Sequence, residues 1–199
     1  MQARDIGRTV LLCMIGGSAD AIAYLRYDTF VGAMTGNTVL LGIDFSQWRL
    51  DHAGYHIGIV AAFFTAVIIT RSAVKSEIPA AVPLIATALM LAASEFIANH
   101  WSAAIVAAAL GMQNAAVRTI AGVPLNTVFI TGNLMQLGSS VQSPSEPEHR
   151  IALALLTASW IAYAIGALVG ALALHWIGYP MLVPAGLALA AAIGEAAAH

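Results

Sequence analysis

Two stretches of this chain are near copies of each other, about half a chain apart. Gly17-Ser18-Ala19-Asp20-Ala21, then Met34-Thr35-Gly36-Asn37 and Leu41-Gly42, recurs as Gly111-Met112-Gln113-Asn114-Ala115, then Ile130-Thr131-Gly132-Asn133 and Leu137-Gly138. Each copy sets polar residues among apolar ones, where polarity is costly. Polar breaks at corresponding places in two halves are the pattern of a duplicated membrane protein with its working site between the repeats.

Charge decides the solvent. Only 9% of residues are charged and 60% are hydrophobic, whereas a soluble domain carries about 25% charged residues. The expected class is an all-α polytopic membrane protein with the lipid bilayer as its first partner. One membrane domain is expected, with a first repeat over residues 1–98 and a second over 99–199. The formal net charge of −2 and the lack of a basic stripe argue against nucleic acid. Cys13 is the single cysteine, and the six histidines are scattered at expected loops or helix ends. Neither supports a disulfide or a metal cluster, and no metal or cofactor is expected. Arg4 and Arg8 before an apolar run suggest a signal peptide. The run continues to Leu25 and holds the first copy of the motif, so it reads as a retained helix.

A span needs about 20 apolar residues. Six segments qualify as transmembrane helices: 9–25, 53–70, 80–98, 101–117, 151–177 and 181–198. Residues 29–48 and 125–142 read differently. Each opens with an extended-looking stretch (Thr29-Phe30-Val31 and Asn126-Thr127-Val128-Phe129-Ile130), reaches Thr-Gly-Asn, then becomes a short apolar helix. Thr and Asn cap helices and Gly tolerates a break. The expectation is a strand or extended segment, a break and a half-helix, twice. Irregular backbone at membrane depth must be buried in protein or line a wet cavity.

If these two broken segments are re-entrant, each repeat has three spans and the second is inverted relative to the first. Arg4, Arg8, Arg71, Lys75, Arg118 and Arg150 then share the cytoplasmic side with both termini, and only Arg26 and Arg49 lie outside. Residues 139–150 read as an exposed loop and 175–180 as an interfacial turn.

Three motifs carry a family resemblance. They are Gly-Gly-x-x-Asp-Ala-x-x-Tyr in the first helix, Phe-x-x-x-Met-Thr-Gly-Asn-Thr-Val-x-Leu-Gly after it, and Gly-Met-Gln-Asn-Ala with a later Thr-Gly-Asn-Leu. Together they resemble the YoaK-like family of uncharacterised bacterial integral membrane proteins, over essentially the whole chain. The resemblance implies a polytopic protein of the bacterial cytoplasmic (inner) membrane and implies little about chemistry.

Asp20 is the sharpest site candidate. An ionised Asp at a helix centre costs about 2.5–3.5 kcal/mol on insertion scales, so it should face the bundle interior. Gly16, Asp20 and Tyr24 share one helix face. Asp20 could couple a proton or cation, or bond to substrate. The structural alternative is that it caps the broken segment's amides or pairs with Arg118. By register Asn114 answers to Asp20 and Arg118 to Tyr24, so the charge pattern differs between the halves. Gln113 and Asn114 either line a cavity or hold helices together. Thr35, Gly36, Asn37 and Thr131, Gly132, Asn133 form the second constellation: two half-helix N-termini meeting at the midplane would attract an anion or carboxylate. The alternative is that each triplet is only a turn.

The expected function is secondary transport, or facilitated passage, of a small polar or anionic solute bound by Asp20, both triplets, Gln113 and Asn114. Asp20 is the coupling residue, and Tyr24 and Arg118 are further candidates. Proton–anion symport reconciles an acid with anion-attracting helix ends. A channel built from the same half-helices is the alternative. An enzyme is not expected: an intramembrane aspartyl protease needs paired carboxylates, a serine protease needs a base near a deep serine, and neither shows. Glu95 and Glu195 lie towards the ends of their spans, where a headgroup-facing position is expected. Gly166 and Gly170 make a small-xxx-small pair, a close-packing face within one subunit or across a homodimer.

Overall fold

The apolar runs form helices, and each Thr-Gly-Asn opens a half-helix just after a non-helical segment. The computed structural model describes residues 3–97, 101–117, 119–128, 130–141 and 147–197. Among these run α1 (Ala3–Tyr27), α2 (Met34–Ser46), α3 (Leu50–Lys75), α4 (Ala81–Ser94) and α5 (Trp101–Ala116). A hairpin, β1 (Thr119–Ile120) with β2 (Val123–Pro124), separates them from α6 (Thr131–Val141), α7 (Pro147–Trp176) and α8 (Leu182–Ala196).

The surface is that of a membrane protein. Leu89, Phe64 and Ile69 are 65%, 63% and 62% exposed, while Asn37, Gln113, Thr127 and Ser159 are buried. Apolar residues outside and polar residues inside reverse the arrangement that water favours. Among the described residues, three helices, α1, α3 and α7, are long and apolar enough to cross a membrane. The remaining three expected spans are shorter helices. With 14, 16 and 15 residues, α4, α5 and α8 rise about 21–24 Å, short of a hydrocarbon core of about 30 Å. Helix α4 ends at Ser94, whose hydroxyl donates back to Leu91 O at 2.7 Å.

The most central of the long helices is α1: 61% of its most apolar window is buried, against 22% for α3 and 28% for α7. It packs along α7, and α5 packs along α3. The contact with α7 uses the Gly166–Gly170 pair. A β-carbon on Gly166 would lie 2.5 Å from Met14 O, and one on Gly170 would press on Ser18. That small-residue face is therefore filled within the chain. The pair α4 and α8 also pack together, α4 touching α5 and α8 touching α1. The half-helices lie outside: α2 on α3, and α6 on α7.

Ends identify directions. Glu95, just past α4, accepts from Arg26 Nη1 near the end of α1 (2.8 Å) and from Met181 N at the start of α8. Glu195, in the last turn of α8, pairs with Arg8 near the start of α1. So α4 and α8 run in opposite directions. Both glutamates are buried ion-pair partners rather than headgroup-facing ends, because helix ends here meet other helix ends.

Other expectations change too. No strand forms over the described residues of 29–31 and 126–130, because these stretches bond to side chains instead. The β-hairpin falls earlier, at Thr119–Pro124, around Ala121 (φ 50°) and Gly122 (φ 80°). Two left-handed residues between paired strands are what a type I′ turn needs. The expected loop 139–150 shrinks at both ends. Helix α6 runs to Val141 and α7 begins at Pro147, a residue favoured in a first helical turn. Residues 142–146 lie outside the described residues.

Candidate functional site

The first break, residues 28–33, is tied down by side chains from three helices. Asp20, in α1, accepts from Val31 N and Gly32 N at Oδ1, both at 2.7 Å. Tyr163 of α7 donates its hydroxyl to Oδ2. Asn37, in the first turn of α2, accepts from Phe30 N at 3.0 Å and donates to Phe30 O at 2.6 Å. It thereby does for Phe30 what a neighbouring strand would do. Thr29 Oγ1 lies 3.0 Å from Asn37 Oδ1.

The second break repeats this. Asn114, in α5, accepts from Thr127 N at 3.2 Å. Asn133, in the first turn of α6, accepts from Asn126 N at 3.0 Å and donates to Asn126 O at 2.7 Å and to Ser159 Oγ at 3.1 Å. Gln113 donates to Leu12 O at 2.7 Å and to Thr127 Oγ1 at 3.2 Å, tying α1 to the second break. Its own Oε1 is buried with no hydrogen-bond partner among the described residues.

The two breaks touch. A β-carbon on Gly32 would run into Val128 and come within 3.0 Å of Asp20 Oδ2 and 3.3 Å of Leu110. One on Gly16 would lie 2.9 Å from Thr127 O. The helices beside them meet in matching register. Gly17 admits the backbone carbonyl of Tyr163, and Gly111 admits that of Phe63, 2.5 Å from where a β-carbon would stand.

That register exposes a difference. Beside Asp20 the α7 residue is Tyr163, whose hydroxyl takes up the free carboxylate oxygen. Beside Asn114 the corresponding α3 residue is Phe63, which has no hydroxyl. A cavity of about 430 Å³ lies there, lined among others by Phe63, Phe64, Val67, Arg71, Asn114 and Asn126.

Over residues 9–194 the chain matches the family described as "Protein of unknown function (DUF1275)". It belongs to that family. No curated protein and no solved structure matches it.

The expected residues divide. Asp20, Asn37, Gln113, Asn114 and Asn133 converge on the two breaks. Of each triplet only the asparagine turns inward: Thr35 and Thr131 are exposed. Gly36 lies under the Phe30 ring, and Gly132 beside the Asn126 side chain. Tyr24 is 45% exposed and stacks on Phe30 at 4.9 Å. Arg118 lies outside the described residues, so the structural reading of Asp20 rests on the amides and on Tyr163.

The sequence reading passed over Tyr163 and Ser159, which stand four apart on α7, one turn of the helix. It also passed over Asp44 and took His56 for a peripheral residue. Asp44, in α2, is buried and pairs with Arg49 Nη2 at 2.6 Å and with His56 Nε2 at 3.2 Å. His56 Nδ1 reaches Thr29 Oγ1 at 3.2 Å, so this network touches the first break from outside. A charged residue within an apolar half-helix was the available signal.

Proposed function

We propose that this chain is a secondary transporter or facilitator for a small polar or anionic solute, built from two inverted repeats whose breaks meet at its centre. The observation that carries this reading is the contact of Gly32 with Val128, between two segments held by matching asparagines. Irregular backbone at membrane depth is tolerated where it is buried in protein or lines a cavity, and secondary transporters build their substrate sites from such paired broken segments.

The helix contacts support the repeat. Exchanging α1 to α4 for α5 to α8 turns α1–α7 into α5–α3, α2–α3 into α6–α7, and α4–α5 into α8–α1. The opposed directions of α4 and α8 support inversion. Six crossings follow if the bilayer or flanking residues make up the short lengths of α4, α5 and α8. Arg4 Nη2 donates to Gly194 O at 3.1 Å, which favours both termini on one side. The arginine distribution favours the cytoplasm for that side, and the YoaK-like motifs favour a bacterial inner membrane.

The packed contact at the centre favours alternating access over a standing channel, since Val128 and Leu110 occupy the space beside Gly32. Asp20 holds the first break through two backbone amides and is itself held by the Tyr163 hydroxyl, and any coupling role would work through release of Tyr163.

The test is solute uptake by the purified chain in sealed vesicles, across a panel of small anions, amides and neutral solutes. Saturable uptake that falls in Asp20→Asn is expected. Flux rising linearly with concentration would favour the channel. A correctly folded protein that moves no member of the panel and binds none would sink the proposal.

A further inference from the structure

The asymmetry between the two breaks says what the solute carries. In the first half the chain supplies its own carboxylate, Asp20, and closes the space over it with the Tyr163 hydroxyl. In the second half the acid is replaced by Asn114 and the phenol by Phe63, and space is left. Asp20 Oδ1 gathers two backbone amides, whereas Asn114 Oδ1 gathers one and its NH₂ group takes no part in that bond.

Among the described residues, Arg71 is the only charged one lining the cavity. Arg8, Arg26 and Arg49 each hold a carboxylate of the chain. Arg71 has no ion-pair partner among the described residues. The cavity's volume of about 430 Å³ is within the range of about 300–1,000 Å³ usual for small-molecule sites. Its inner end is apolar, with Ala115 and Leu125 buried, and its outer end carries exposed Arg71 and Phe64.

Resting on the transport reading above, we infer that this cavity binds a small monocarboxylate with an apolar or aromatic body, its carboxylate facing Arg71 and the amides of Asn114 and Asn126. A guanidinium matches a planar carboxylate with two parallel bonds, and side-chain amides donate to the same oxygens. Phe63, Phe64 and Val67 supply the apolar wall. The same oxyanion chemistry could be offered by an anionic lipid headgroup, so the experiment separates the two sources.

Benzoate, butyrate, benzamide and benzyl alcohol are titrated calorimetrically into the full chain in a zwitterionic detergent, with and without added phosphatidylglycerol. Benzoate and butyrate are expected to bind, and the two neutral compounds are not. Arg71→Ala should weaken benzoate binding about 10-fold or more, and Arg71→Lys should weaken it less. Phe63→Tyr, which adds the hydroxyl found on Tyr163, should also weaken it. Each variant's melting temperature without ligand serves as the check on folding. Equal binding of benzyl alcohol, or unchanged benzoate binding in folded Arg71→Ala, overturns the inference. So does phosphatidylglycerol binding at Arg71 with no carboxylate binding. Carboxylate binding without uptake in vesicles would sink the transport reading and leave this site standing. Uptake of solutes that Arg71→Ala retains would do the reverse.

Discussion

Asn37 and Asn133 make the same pair of hydrogen bonds, each to both backbone groups of the residue seven positions before it, Phe30 and Asn126. A short helix and the extended segment before it are thus clasped by one amide. Alanine at either position would strand a backbone N–H and C=O, at about 1–3 kcal/mol for each buried group left unpaired. In Asn37→Ala, hydrogen exchange should quicken at the Phe30 amide while Asn126 keeps its protection, and Asn133→Ala should show the converse. Asn37→Asp should destabilise more than Asn37→Ala, because a carboxylate would face Phe30 O. Equal exchange at both breaks in either variant would show that the clasps are not local.

Tyr163 and Asp20 should be strongly coupled. Side-chain hydrogen bonds between membrane helices average about 0.6 kcal/mol, whereas one to an ionised carboxylate is worth about 1.5–3 kcal/mol. A cycle of Asp20→Asn, Tyr163→Phe and the double variant, followed by unfolding in detergent, is expected to give the larger coupling. A value near the average would mean that Tyr163 meets an uncharged partner.

Gly17 and Gly111 should not tolerate a methyl group. Each would drive a β-carbon into a main-chain carbonyl of the adjoining long helix, and backbone cannot rotate aside as a side chain can. Gly17→Ala and Gly111→Ala are expected to cost at least the about 1–3 kcal/mol typical of overpacking. Gly42, exposed on α2 with nothing near its α-carbon, is the control. Alanine there should be neutral, or stabilising by up to about 1 kcal/mol. Melting temperatures of the three variants decide the matter.

Asp44 should matter more than its partner Arg49. The Arg49 side chain is 47% exposed and Asp44's is 4% exposed. Arg49→Ala removes a pair half in solvent, worth about 0–1 kcal/mol. Asp44→Ala also leaves buried His56 without its carboxylate, which should cost about 1–3 kcal/mol. A larger loss in Arg49→Ala, read from chemical unfolding, would contradict this order.

Much of this was legible in the chain before folding. The duplicated motif located both breaks, and polarity inside apolar runs singled out Asp20, Asn114 and the two asparagines. Within each triplet the structure turns only the asparagine inward. Successive residues on a helix point about 100° apart, so Thr35 and Asn37 could not both face inward. Tyr163, Phe63 and Arg71 were hidden for another reason. Helices α3 and α7 are apolar on most sides, and nothing in their periodicity says which side meets the break. Glu95 and Glu195 sit near helix ends, and only assembly shows that those ends abut other helices.

Where Gly166 meets Met14 and Gly111 meets Phe63, main chain rests directly on main chain. Contacts of that kind have no slack, so α1 with α7, and α3 with α5, each behave as one stiff plank. Any slide between the planks must pass the seam where Gly16 abuts Thr127 O and Gly32 abuts Val128. Gln113, anchored in one plank and fastened to Leu12 in the other, is the stitch that any such slide must first undo.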